Sequence, residues 1–152
     1  MGTGNSLSEV LDYIQTIRFA TLNYVREDKA PISRSMGSFA LDGTSIIFSS
    51  QKDAAKVAAI QANRRISFFF EGDNQELANW KNVIAIGDAG LIEEKVEKSR
   101  IAEILAQRNP RFRERIEKGE LDKVALFVLK TEEFQFQNRA KSPGNETILV
   151  GN

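Results

Sequence analysis

One stretch of the chain, "SRSMGSFALDGTSIIFSSQKDAAKV" (33–57), gathers side chains that could hold an anion. Arg34 brings a permanent charge, Ser49 and Ser50 bring hydroxyls, and Lys56 brings an ammonium group in the first turn of an expected helix. Helix starts leave backbone N–H groups unpaired, and the helix dipole favours negative charge there. With Asp53 as the expected N-cap, Lys56 is the third helical residue. A lysine at that point opposes the dipole, at a cost of about a few tenths of a kcal/mol. A bound phosphate would reverse the sign, because lysine, dipole and hydroxyls would then converge on one dianion. A solvated lysine early in a helix accounts for the same residues, and the stretch alone does not choose between the two.

The rest of the composition narrows the chemistry. The 152-residue chain contains neither cysteine nor histidine. Thiolate nucleophiles, disulfides, a Ser-His-Asp triad and histidine-ligated zinc are therefore excluded, and no metal site is expected. Any demanding reaction would have to be carried by a bound cofactor. With 21 basic and 21 acidic residues the formal charge is zero, which argues against a nucleic-acid partner. No apolar run approaches the ~20 residues that span a bilayer, and no secretory signal opens the chain. The expectation is a cytoplasmic protein without a membrane partner. Met1-Gly2 with Ser6 matches an acylation pattern, and Asn145-Glu146-Thr147 matches a glycosylation sequon; nothing else in the chain supports either. Glu93 and Glu94, adjacent on an expected strand, would face opposite ways and form no carboxylate pair. The basic run "RNPRFRER" (108–115) is surrounded by Glu103, Glu114, Glu117 and Glu120 and reads as a solvated face.

The elements that must position these residues follow from periodicity. Leu7, Val10, Leu11, Ile14 and Ile17 predict an amphipathic helix capped by Ser6 or Ser8. Strands are expected at 19–25, 32–41 and 44–50, with a polar turn at 26–31 and an Asp42-Gly43 hairpin turn. A helix over 53–63 precedes a strand over 65–72, where Phe68, Phe69 and Phe70 read as core buried on both faces. A polar break at 73–79 leads into a long strand, 82–94, bulged or bent at its central glycine. A helix over 96–108, a short charged helical segment (111–118), strands at 124–130 and 133–137 and a loop-like tail complete the chain. This order predicts a single α+β domain over 1–152: an antiparallel sheet of about six strands curled into a small barrel, with flanking helices. Within 32–41, alternation sets Arg34, Met36, Ser38 and Ala40 against Ser35, Gly37, Phe39 and Leu41. Neither face is apolar before Phe39, which leaves room for a flat ligand.

The order strand–turn–strand–"FSSQKDAAKV"–helix–"NRRISFFFEG" resembles the flavin-binding split-barrel family related to pyridoxamine 5'-phosphate oxidase, in particular its short bacterial general-stress members. The likeness covers about 18–95 well and the C-terminal third more loosely. The resemblance implies that Arg34, Ser35 and Met36 contact the flavin ring and phosphate. It implies that Phe48, Ser49 and Ser50 pass beneath the ribityl chain and phosphate, and that Lys56 binds the phosphate. It further implies a homodimer in which Asn82 reaches the flavin of the other subunit, with Trp80 either stacking on the flavin or filling the interface. FMN is the implied cofactor and the deazaflavin F420 the alternative, since it too carries a phosphate. The implied activity is hydride exchange with a reduced nicotinamide or a small organic substrate; a flavin carrier without turnover is the other reading. A third reading, outside the resemblance, is a barrel with no cofactor. The vitamin-processing oxidases carry an arginine-histidine substrate motif, absent from this histidine-free chain, so oxidation of pyridoxine phosphate is not expected. Relatives that bind haem usually ligate it through histidine, which is missing here.

Overall fold

Three- and four-residue spacing puts Val10 and Ile14 on one buried stripe of α1 (Thr3–Thr16), the first element of the computed structural model, which describes residues 3–151 and side chains from Ser6 onward. Met1 and Gly2 of the acylation pattern lie outside the described residues. Ser6 and Ser8 sit within α1 rather than capping it, because the helix begins before them. Next come β1 (Ala20–Val25), β2 (Pro31–Met36), β3 (Phe39–Asp42) and β4 (Ser45–Gln51), then α2 (Ala55–Ala62) and β5 (Arg65–Glu71). The remainder is β6 (Lys81–Leu91), α3 (Lys95–Arg108), α4 (Pro110–Glu117), β7 (Val124–Asn138) and β8 (Asn145–Leu149).

All eight strands join one antiparallel sheet in the order β2-β1-β5-β6-β7-β4-β3, with β8 added on β7. The α+β class and the curled antiparallel barrel are as expected; the strand count is higher than six. Part of the difference is the expected strand 32–41, which is two strands. Met36 and Phe39 are 6% and 0% exposed and belong to the same core. Three residues apart, they would face opposite ways on a straight strand. A break at Gly37-Ser38 turns both inward, and the chain passes there from one edge of the sheet to the other. Gly37 permits this because a Cβ would stand 3.0 Å from the Phe19 ring.

Other boundaries moved for local reasons. Asp42 pairs with Ser45, so the hairpin loop is Gly43-Thr44 rather than Asp42-Gly43. Gly43 alone takes positive φ, at 64°, as a loop with glycine first requires. The expected distortion of the long strand is a bulge between Ile86 and Gly87. A Cβ at Gly87 would lie 2.0 Å from the Lys130 carbonyl oxygen. The strand ends at Leu91, and Glu94 caps α3 by accepting from the Val96 amide. The segments at 124–130 and 133–137 are one strand, β7. β8, on which the Asn145 sequon falls, was not expected, since Ile148 is its only buried residue.

Two cores result. Inside the curl, Phe39, Phe48, Phe68, Phe70 and Phe127 form one aromatic cluster, with Phe48 stacked on Phe127 at 5.2 Å. Phe69 faces the other side and is half-buried, so the phenylalanine run is core on one face of β5. On the outer face of β3, β4 and β7, Ala40, Ile47 and Leu126 pack under α3 and α4.

Candidate anion site and its surroundings

Register fixes the directions of the site residues. Arg34 lies opposite Leu22 and Met36 opposite Ala20, so both share the inward face of the sheet. Met36 is buried, whereas Arg34, nearer the far end of the edge strand β2, is exposed and donates only to the Ser33 carbonyl, at 3.1 Å. Ser35 is exposed on the other face.

Lys56 is the second residue of α2, not the third. The N-cap is Ala54, and no side chain caps the helix. Asp53 is held within a tight turn in which the Ala54 amide donates to the Gln51 carbonyl, at 3.1 Å, and it stays exposed. The first amides of α2 are thus free of a side-chain acceptor. Lys56 is half-buried, and its pKa is lowered, first by burial and second by the charge of Arg34. Neither cation meets a carboxylate among the described residues. Two like charges held close with no anion between them are costly unless an anion joins them.

The two serines diverge. Ser50 pairs with Ala125 and shares the inner face of β4 with Phe48, whereas Ser49 pairs with Leu126 on the face under α3. Ser49 and Ser50 are 9% and 7% exposed. The Ser49 hydroxyl is hydrogen-bonded to that of Ser38, a residue sequence reading had placed only by alternation. The Ser50 hydroxyl donates to the Gln51 carbonyl, at 3.2 Å. The Phe48 ring is fully buried; only its backbone could meet a ligand.

Trp80 and Asn82 occupy another region. Both donate to Glu71, Trp80 through Nε1 at 2.7 Å and Asn82 through Nδ2 at 3.3 Å. Arg34, Leu22, Phe68 and Ala85 form one row across the sheet, and Asn82 is three residues beyond Ala85 on the opposite face. Three strand spacings amount to about 14 Å, so within one chain Asn82 and Arg34 do not share a site. A latch that the sequence did not reveal holds this corner. The Tyr13 hydroxyl donates to the Lys81 carbonyl and accepts from the Gly72 amide, at 2.8 and 2.9 Å. Gln75 ties the same two segments through Gly72 and Lys81. Burial pushes the Tyr13 pKa up.

Arg34, Lys56 and the uncapped start of α2 make a cradle with the charge and open donors a phosphate monoester needs. A phosphorylated cofactor such as FMN fits that donor set. Among the described residues no cluster of potential metal ligands is present, and no helix is long and apolar enough to cross a membrane.

The chain matches the pyridoxamine 5'-phosphate oxidase family over residues 7–138. No curated protein matches it. Among solved structures, it is similar to a protein from Clostridium acetobutylicum related to general stress protein 26 of B. subtilis (pyridoxinephosphate oxidase family). That similarity has a TM-score of 0.74 at 14% identity and covers 99% of this chain and 97% of that one. General Stress Protein 26 from Bacillus anthracis gives 0.66 at 17% identity, covering 94% and 97%. A heme binding protein from Mycobacterium smegmatis gives 0.74 at 13% identity, covering 93% of this chain but 57% of that one. At these identities the structures speak for the fold, and the match along most of the sequence speaks for kinship: the chain belongs to the pyridoxamine 5'-phosphate oxidase family.

Proposed function

We propose that the protein is a homodimeric FMN-binding oxidoreductase whose cofactor phosphate is held by Lys56, Arg34 and the first amides of α2. The observation that carries this reading is Lys56 beside Arg34, a half-buried ammonium whose pKa is lowered first by burial and then by the guanidinium, at an uncapped helix start. Ser50 and the backbone of Phe48 lie beside the ribityl chain, and Met36, on the same face as Arg34, borders the ring; the Ser35 side chain points away from it. Asn82 and Trp80 reach the flavin of the second subunit, which suits their distance from Arg34 within one chain. The bound flavin would supply hydride transfer, with a nicotinamide or small organic molecule as partner. The chain's residues bind and orient it, and no side-chain acid or base is assigned. Fold and family support a flavoprotein of this kind.

The test begins with the absorption spectrum and mass of the cofactor that copurifies, followed by titration with FMN and F420. FMN should bind, and Lys56→Ala should weaken it roughly tenfold or more, as loss of one charge-assisted contact implies. A protein that takes up neither flavin sinks the reading, and unchanged affinity in Lys56→Ala moves the phosphate elsewhere. Anaerobic reduction by NADH or NADPH separates the enzyme from a carrier.

A further inference from the structure

The outer face of the sheet carries a polar row. Glu71 ends β5 and pairs with Asn82, Asn82 pairs with Gln137, and Gln137 pairs with Asn145 on β8. Cross-strand partners share a face, so the four side chains stand in line. Their chain neighbours Phe70, Val83 and Phe136 are buried on the opposite face. Asn82, Gln137 and Asn145 line a groove of about 350 Å³ that runs over Ile84.

Hydrogen bonds give the row a direction. Glu71 is half-buried and meets no lysine or arginine among the described residues. Its Oε2 accepts instead from two neutral donors, Trp80 Nε1 at 2.7 Å and Asn82 Nδ2 at 3.3 Å. Asn82 Nδ2 donates a second time, to Gln137 Oε1 at 2.9 Å. An amide nitrogen has two hydrogens to give, so both Asn82 donors are spent inside the row. The Asn82 oxygen and the Gln137 nitrogen are left without a protein partner among the described residues.

Glu71 decides this arrangement. The two ends of an amide are nearly equal in shape, and either can turn toward a neighbour that both donates and accepts. A carboxylate accepts and does not donate, so Asn82 must show it the nitrogen. The choice passes to Gln137, whose oxygen must then face Asn82. Without Glu71 the Asn82–Gln137 pair could reverse and keep the bond between them, exchanging a free acceptor at Asn82 for a free donor.

We propose that Glu71 is a positioning residue that holds the Asn82 oxygen outward as an acceptor, beside the Gln137 nitrogen as a donor. The pair then complements a ligand edge that carries an N–H next to a C=O. This rests on the flavoprotein reading, in which Asn82 reaches the flavin of the second subunit. An oxidised flavin ring has a single N–H, flanked by carbonyls, so the polarity set by Glu71 is the one that suits it. Glu71 touches no ligand and acts through Asn82.

FMN titration of the full-length protein in a double-mutant cycle tests this, together with the emission of Trp80, the single tryptophan of the chain. Glu71→Ala should shift the Trp80 emission of the flavin-free protein and weaken FMN about fivefold or more, as should Asn82→Ala for FMN. The double variant should lose no more than the worse single one, because the two residues act as a unit. Glu71→Gln should restore most of the affinity, since Trp80 only donates and holds the new amide oxygen where Oε2 stood. FMN methylated at its ring N–H should bind wild type about tenfold more weakly than FMN, and Glu71→Ala should narrow that gap. Additive losses in the double variant, or the same discrimination against the methylated ring in wild type and Glu71→Ala, overturn the inference. Wild-type protein that binds no flavin removes the flavoprotein reading and this inference with it. Full FMN affinity in Glu71→Ala removes this inference alone.

Discussion

Strands β2 and β3 are consecutive in the chain and sit at opposite edges of the sheet. β2 is exposed along most of its length, with Met36 its only buried residue. β3 begins with Phe39 and Ala40, both buried, one against the barrel core and one under α3. An edge strand covered on both faces is committed to packing, whereas an edge strand left open can carry charge without losing core. That difference explains how Arg34, on the inward face, remains in water and within reach of Lys56.

The widest gap between the two strands should appear in stability. Phe39→Ala removes a ring packed against Phe68, Phe70 and Arg108 and should cost about 3–5 kcal/mol in urea unfolding. Arg34→Ala should change stability by no more than about 0.5 kcal/mol. A comparable loss at Arg34 would mean that β2 is structural after all. A smaller effect is expected where the segment after β2 meets β4. Ser49→Ala leaves the half-buried Ser38 hydroxyl without its partner and should cost about 1 kcal/mol. A neutral result would show that water replaces the bond.

The smallest effect is the most specific to the cradle. The folded-state pKa of Lys56 is depressed, so between that value and the ordinary lysine value the unfolded chain binds more protons. Stability of the flavin-free protein should therefore rise with pH across that window, and the cost of the buried cation is fully present below it. Lys56→Met should remove this rise and leave the flavin-free protein slightly more stable than wild type at neutral pH. An identical pH slope in the two proteins would show that the ammonium is fully solvated.

Much of this was legible in the chain. The β-branched and aromatic residues of 19–25, the hairpin strand at 44–50, the bulge glycine and the helix ending at Asn109-Pro110 each follow from local chemistry that the structure obeys. The break at Gly37-Ser38 was hidden because its cause, the need to bury both Met36 and Phe39, appears only once the sheet is curled. The start of α2 was misread because Asp53 looks like a cap, and a turn from Gln51 decides otherwise. Sequence reading set Arg34 and Lys56 near one anion, and they are close enough for charge to matter. It treated Ser49 and Ser50 as a pair, although adjacent residues on a strand look opposite ways. Which arginine of the run 108–115 finds a carboxylate was invisible for a different reason. Arg111 and Arg113 are chemically identical, and only the position of Glu103 distinguishes the paired one from the free one.

The edge-to-edge link through Gly37-Ser38 also bears on how the barrel assembles. The hairpins β1–β2 and β3–β4 pair residues near in sequence, so each can close quickly. The sheet between them must join residues as distant as Ile46 and Leu129, whose loop-closure entropy is lost before their contacts form. The barrel would then be built from its rims inward. The two hairpins, tethered by Gly37-Ser38, would be in place before the phenylalanine core is sealed.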